Sequence, residues 1–130
     1  MIVLDASAAV DWLLQTPAGA RIDERIHSHN QLLAAPHLID LEVAQVLRRL
    51  TREGSISARR AEEAIQDLKD LRIHRYPHFV LLSRLWQLRD NLSAYDAAYV
   101  SLAEALNATL ITRDARLAST PGHKTRVEVF

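Results

Sequence analysis

The stretch "MIVLDASAAV", residues 1–10, decides the class of fold. Residues 2–4 form an apolar run, two of its three residues β-branched, that is too short for a helix and predicts a buried strand. Asp5 follows this strand directly, and residues 6–14 predict the first helix. A carboxylate between a strand and a helix is either an N-cap of the helix or a group placed for function.

Strand-like and helix-like segments alternate along the rest of the chain. The other predicted strands cover residues 32–35, 73–76, 109–112 and 127–130. Helices are expected over residues 18–29, 37–52, 58–71, 79–89 and 94–106, with a short turn of helix at 115–117. Thr16 and Pro17 are expected to end the first helix, and Pro36 is expected to mark the start of the helix over residues 37–52. Strands separated by helices predict an α/β fold with a parallel sheet and right-handed crossovers. In such sheets, functional groups lie beyond the carboxyl ends of the strands.

Composition limits the chemistry that this chain can perform. A length of 130 residues predicts one domain over residues 1–130, and 48% apolar residues are enough to build its core. There are no cysteines, which excludes disulfides, thiolate metal sites and a thiol nucleophile. A metal site would use oxygen or histidine ligands, and oxygen ligands favour Mg²⁺ or Mn²⁺. No signal peptide or membrane span is predicted, so we expect a soluble, cytoplasmic protein.

Two acids follow predicted strands by the same pattern. Asp5 follows residues 2–4, and Asp114 comes two residues after the strand that ends at Thr112. Because the carboxyl ends of parallel strands meet at one edge of a sheet, both carboxylates are expected at that edge. For each acid alone, a helix N-cap is the competing interpretation.

Two further acids lie on predicted helices. Glu42 has Leu38 and Val46 four residues away on either side, so it lies on an apolar face where an unpaired charge is costly. Asp96 comes three residues after Ser93, which also fits a capping box. Four converging carboxylates would repel one another unless a divalent cation offset the charge. Such ions, bound through carboxylates and waters, are typical of phosphodiester hydrolysis.

Four segments in order resemble a known family. They read "MIVLDASAAV", "PHLIDLEVAQVLRRL", "LSAYDAAYVSLAEAL" and "LITRDARLA", and together they resemble the PIN-domain ribonucleases, specifically the VapC toxins of VapBC toxin–antitoxin modules. The resemblance implies a PIN-like α/β/α sandwich with a central, mostly parallel sheet. It also implies an endoribonuclease dependent on Mg²⁺ or Mn²⁺, a VapB-like antitoxin as inhibitor, and a homodimer. Whether the RNA substrate is tRNA, rRNA or mRNA stays open.

The resemblance also assigns roles to individual residues. The acids that match catalytic, metal-ligating positions of the family are Asp5, Glu42, Asp96 and Asp114. Asp5 and Asp96 are the expected direct ligands, whereas Glu42 and Asp114 would bind a second ion or hold waters. Ser7 and Thr112 match hydroxyl positions that orient a ligand or a water. The sequence leaves several arginines open as phosphate contacts, namely Arg84, Arg89, Arg113 and Arg116.

Other classes of protein fit less well. Haloacid-dehalogenase-like phosphatases need a second aspartate two residues after the first, where this chain has Ser7. Response-regulator receivers need a lysine at the end of a late strand, and neither Lys69 nor Lys124 follows a convincing strand. The remaining alternative is a PIN-like module that binds RNA or protein without catalysis.

Overall fold

The computed structural model describes residues 1–130 as five strands, seven α-helices and one 3₁₀-helix. The strands are β1 (Ile2–Leu4), β2 (Leu33–Pro36), β3 (Ile73–Tyr76), β4 (Thr109–Thr112) and β5 (Val127–Val129). The helices are α1 (Ala6–Leu13), α2 (Pro17–His27), α3 (Ile39–Arg52), α4 (Ala58–Asp70), α5 (Leu82–Gln87), α6 (Ala94–Ala105) and α7 (Arg116–Ser119), and the 3₁₀-helix covers His78–Leu81.

All five strands are parallel and form one sheet in the order β3-β2-β1-β4-β5. Strand β1 lies at the centre, with Ile2 paired to Leu33 on one side and to Thr109 on the other. Every residue of β1 is fully buried, as expected where helices cover both faces of a parallel sheet. The α/β fold with a parallel sheet is therefore confirmed.

The order of the strands reverses between β1 and β4. After β1 the chain adds β2 and β3 on one side, and it then crosses over to add β4 and β5 on the other. The crevice at the carboxyl ends of the strands beside such a reversal is where α/β sheets bind their ligands. Asp5 follows β1 and Asp114 follows β4, so both residues lie at this point.

Two segments differ from their predicted structure. Pro36 was expected to begin a helix, but it ends β2, because His37 N donates to Tyr76 O (2.8 Å) and extends the strand pairing past the proline. The single helix expected over residues 79–89 is a 3₁₀-helix followed by the short α5. Leu81 and Leu88, at the two ends of α5, are buried, and Leu85 between them packs against the core.

The junction of α1 and α2 also differs from expectation. Thr16 and Pro17 were expected to end the first helix, and they begin the second instead: Thr16 Oγ1 accepts from Gly19 N (3.1 Å), and Pro17 is the first residue of α2. A Cβ on Gly19 would lie 2.0 Å from Asp11 O. Only glycine therefore permits the close approach of these two helices. None of the helices is long and apolar enough to cross a membrane.

Candidate active site

A pocket of about 300 Å³ opens at the carboxyl edge of the sheet, beside the reversal of strand order. Its walls include all four acids that the sequence singles out, together with Ser7 and Tyr99. The acids come from four places in the chain, namely the ends of β1 and β4 and the first turns of α3 and α6. The fold thus brings together carboxylates that are up to 109 positions apart, as from Asp5 to Asp114.

Asp5 is the most enclosed of the four acids, with 6% of its surface exposed. Its Oδ1 accepts hydrogen bonds from Ser7 Oγ (2.6 Å) and Ala8 N (3.0 Å), and its Oδ2 accepts one from Thr112 Oγ1 (2.5 Å). The bond from Ala8 N is the helix N-cap that the sequence suggested. Asp5 therefore caps α1 and also presents a carboxylate, held by donors on both oxygens, to the pocket.

Ser7 and Thr112 join the ends of the two central strands. Ser7 Oγ donates to Asp5 and accepts from Arg113 N (3.0 Å). Thr112 Oγ1 donates to Asp5 and accepts from Asp114 N (2.9 Å). Thr112 is fully buried and lies beneath the pocket, whereas Ser7 is part of its wall. Each hydroxyl thus orients Asp5 and fixes the backbone that carries Asp114.

Glu42 reaches the pocket from the first turn of α3. Its Oε1 accepts a hydrogen bond from Tyr99 Oη (2.8 Å), and Tyr99 is 2% exposed. Sequence reasoning gave Tyr99 no role. The signal available was its position three residues after Asp96, which places both side chains on the same face of α6.

Asp96 enters from the first turn of α6 and is half-buried. Ser93 Oγ accepts from Asp96 N (3.1 Å), as a helix N-cap should. The reciprocal bond of a capping box, from the Ser93 amide to the Asp96 carboxylate, is not formed. Helix capping therefore explains the role of Ser93. It does not explain why the Asp96 carboxylate lines the pocket.

The electrostatic environment separates Asp114 from the other three acids. Burial raises the pKa of Asp5, Glu42 and Asp96, and the negative charges of neighbouring carboxylates raise each of these pKa values further. By contrast, hydrogen bonds from Arg116 hold the pKa of Asp114 below its usual value. Arg116 Nη2 lies 2.5 Å from Asp114 Oδ2. Asp5, Glu42 and Asp96 thus share the pocket, and none of them forms an ion pair with an arginine or lysine.

Each arginine that the sequence left open has a partner within the chain. Arg116 binds Asp114, and Arg113 donates through Nε to Asp11 (2.8 Å). Arg84 donates to Glu104 (2.7 Å), and Arg89 lies 5.0 Å from the centre of the Trp86 ring. Arg116 is the one that lies beside the acidic pocket, since its charge also acts on Asp96.

The donor set of the pocket suits a hard divalent cation. Carboxylate and hydroxyl oxygens are the available ligands, and uncompensated negative charge favours a cation. No group of three or more acidic or histidine side chains is close enough to hold an ion by itself. This geometry fits Mg²⁺ or Mn²⁺ bound through one or two carboxylates and several waters. It does not fit a closed cage of protein ligands.

Comparison with known proteins agrees with this architecture. The family model of the PIN domain matches residues 2–122. Ribonuclease VapC9 of Mycobacterium tuberculosis is 45% identical over 122 residues, which cover 92% of this chain and 91% of the relative.

Two solved structures share the fold. The crystal structure of PAE2754 from Pyrobaculum aerophilum superposes with a TM-score of 0.69 at 27% identity, covering 98% of this chain and 83% of the other. VapBC2 from Rickettsia felis, bound to a DNA fragment from its promoter, superposes with a TM-score of 0.67 at 17% identity, covering 99% and 98%. With a family match over most of its length and a VapC relative at this identity, the chain belongs to the PIN-domain family, among the VapC ribonucleases.

Proposed function

We propose that residues 1–130 form one PIN domain that acts as the toxin of a toxin–antitoxin module by hydrolysing phosphodiester bonds in RNA. The observation that carries this proposal is the pocket at the reversal of strand order, where Asp5, Glu42 and Asp96 converge without a bound cationic side chain. The VapC relatives are named ribonucleases, which supports RNA as the substrate.

We propose Mg²⁺ or Mn²⁺ as the cofactor. Asp5 and Asp96 would bind the ion directly, and Glu42 and Asp114 would hold a second ion or the waters around the first. When bound, a divalent cation lowers the pKa of a water and neutralises charge on the scissile phosphate. The raised pKa values of Asp5, Glu42 and Asp96 support this assignment, because these carboxylates lie together and none of them forms an ion pair.

The side chains of the chain itself provide orientation. Ser7, Thr112 and the Ala8 amide fix both oxygens of Asp5, so its carboxylate is aimed before any ligand arrives. Tyr99 fixes one oxygen of Glu42 and leaves the other to accept a proton from, or to orient, an attacking water. Arg116 keeps Asp114 charged and adds a positive group at the rim, where a phosphate flanking the scissile bond would pass.

We propose a VapB-like antitoxin as the inhibiting partner. VapBC2 of Rickettsia felis is named for the two components together and shares this fold. A cationic side chain from the antitoxin would be attracted to three carboxylates that lack a bound cation, and it would block both ion and RNA.

We also propose that the chain forms a homodimer. The 3₁₀-helix and α5 expose large apolar side chains next to one another, with Phe79 76% and Trp86 65% exposed. Large exposed apolar side chains close together in the chain are typical of interaction surfaces when they form a patch. Light scattering at micromolar concentration should give twice the mass of the chain, and Trp86→Ser should shift the mass towards that of one chain. A single-chain mass for the unsubstituted protein would rule out the dimer.

The decisive experiment is to map new 5′ ends of RNA in host cells that express the chain. Cuts should appear with the unsubstituted chain and disappear with Asp5→Asn. Asp67→Asn is the matched control, because Asp67 is exposed on α4, away from the pocket. If both the unsubstituted chain and Asp5→Asn bind RNA but neither produces cuts, the non-catalytic binding module is the correct function.

A further inference from the structure

A second cavity, lined by polar and charged residues, lies at the end of the sheet opposite the acidic pocket. Its volume is about 960 Å³, against 300 Å³ for the acidic pocket. Its walls include Thr109, the first residue of β4, and Arg126, which directly precedes β5. The acidic pocket lies at the carboxyl ends of these parallel strands, so this cavity lies at their amino ends. The function proposed above makes no use of it.

The lining of this cavity excludes an apolar ligand. Among the side chains around it, only Ala103 and Ala108 are apolar, and both are small. Sites for drug-like molecules and for protein anchors are lined mainly by large apolar groups. Amide and hydroxyl groups such as those of Gln87, Asn107 and Thr109 lie here instead. The cavity therefore suits a ligand that is polar and hydrogen-bonding.

The charged side chains of the cavity that form no ion pair are positive. Its one acid, Glu104, is occupied by Arg84, which donates to both carboxylate oxygens (2.7 and 3.0 Å). Lys124 and Arg126 are exposed, and neither forms an ion pair. Two unpaired cations beside a neutralised acid attract an anion.

Lys124 and Arg126 lie two residues apart in the segment that leads into β5. Both are exposed, whereas Thr125 between them is partly buried. Thr125, between them, points inward and donates to Val100 O (3.2 Å). Arg84 Nη2 holds the start of the segment by donating to Gly122 O (2.9 Å). The backbone that carries the two cations is thus fixed before a ligand binds, which lowers the entropic cost of binding.

We propose that this cavity binds phosphate groups of the RNA backbone, away from the bond that is cut. The inference rests on the proposed ribonuclease function. Strand β4 spans the distance between the two edges and is only about 13 Å long. An RNA strand must pass over the protein surface between the two ends, so several nucleotides would separate the bond that is cut from the phosphates bound here. The contact is independent of sequence, because phosphates carry no base information.

The test compares two double variants in an Asp5→Asn background, which prevents cleavage. Lys124→Gln with Arg126→Gln removes the two cations of the cavity. Arg48→Gln with Arg52→Gln removes two exposed, unpaired cations from α3 and is the matched control. Binding of a labelled, mixed-sequence single-stranded RNA, long enough to span both edges, is measured by fluorescence anisotropy at several salt concentrations.

Loss of two phosphate contacts should weaken binding and reduce the slope of log K against log salt by about 0.7 per contact, or about 1.4 in total. The slope for Arg48→Gln with Arg52→Gln should equal that of the Asp5→Asn chain. The slope for Lys124→Arg alone should also equal it, because the charge is retained. Equal slopes for the cavity variant and the parent would overturn the inference.

Two further measurements separate the inference from its alternatives. Cleavage by the unsubstituted chain is assayed in parallel, and its absence would refute the proposed function without changing how the salt slopes are interpreted. Inorganic phosphate is then tested by thermal shift. Stabilisation by phosphate that the cavity variant loses, together with an unchanged RNA slope, would assign the cavity to a small phosphate compound and overturn the RNA contact.

Discussion

Asp5 and Asp114 occupy equivalent places at the ends of neighbouring parallel strands, but their surroundings differ. Asp5 is buried and accepts bonds only from neutral donors, namely Ser7, Thr112 and a backbone amide. Asp114 lies nearer to solvent and is paired with Arg116. The same sequence pattern thus produces one carboxylate with unbalanced charge and one whose charge is balanced.

The difference indicates a division of labour. A carboxylate that forms no ion pair retains its full attraction for a metal ion. A carboxylate paired with an arginine attracts the ion less strongly, and it is better suited to orienting waters around the ion. Burial raises the pKa of Asp5, and Arg116 lowers the pKa of Asp114. We therefore expect the two strand ends to respond differently to substitution.

The largest effect is expected when each of these acids is replaced by asparagine. Asp114→Asn should lower kcat/KM for RNA cleavage roughly 10- to 100-fold, as for groups that orient ligands. Asp5→Asn removes a proposed direct ligand and should lower it further, to more than 100-fold below the unsubstituted chain. Cleavage of one RNA by purified, folded variants measures both, with Asp67→Asn as the control. Equal losses at the two positions would contradict the division of labour.

Thr112 connects the two acids and provides the next test. Thr112→Val keeps the shape of the side chain but removes both the donor to Asp5 and the acceptor of Asp114 N. We expect Mn²⁺ affinity, measured by calorimetry, to fall roughly 10- to 100-fold.

Thr109→Val is the matched control for Thr112→Val, because it makes the same substitution at the other end of β4. An unchanged affinity in Thr112→Val would show that the orientation of Asp5 does not depend on this hydroxyl.

The stability of the fold should depend on pH in opposite ways at Asp96 and Asp114. Burial, followed by the charge of Asp114, raises the pKa of Asp96. The folded chain then retains a proton that the unfolded chain has released. This contribution to stability decreases as the pH rises from about 4 through the raised pKa. The pKa of Asp114 is lowered, so its stabilising contribution is present above about pH 4 and is lost as the pH falls through the lowered pKa.

Melting temperatures of two variants check these signs. Near neutral pH and without divalent ions, Asp96→Asn should melt above the unsubstituted chain, and Asp114→Asn should melt below it. The difference for Asp96→Asn should disappear as the pH falls to about 4 and below, whereas that for Asp114→Asn should decrease only as the pH falls below about 4 through the lowered pKa of Asp114. Shifts of the same sign for the two variants at neutral pH would show that their environments do not differ as described.

The sequence predicted the parts of this site that depend on local patterns. The run of residues 2–4 and the acids after two strands were enough to place Asp5 and Asp114 at one edge of a parallel sheet. Contacts between distant segments could not be predicted in this way. The bond from Tyr99 to Glu42 joins residues 57 positions apart, and it depends on how α6 packs against α3. The prediction that Pro36 begins a helix was wrong, because strand pairing through His37 outweighed the preference of proline for a helix start.

The smallest effect is expected at Tyr99, whose hydroxyl donates to Glu42 and forms no side-chain hydrogen bond with Asp5 or Asp114. Tyr99→Phe removes one hydrogen bond to a half-buried carboxylate, and water from the open pocket can replace the lost donor. A net loss of about 0.5–1.5 kcal/mol corresponds to a decrease of roughly 2- to 13-fold in Mn²⁺ affinity. Tyr95→Phe is the control, since Tyr95 lies on the same helix, is exposed and forms no side-chain hydrogen bond. A loss as large as that of Thr112→Val would mean that Glu42, and not the end of β1, dominates the binding of the ion.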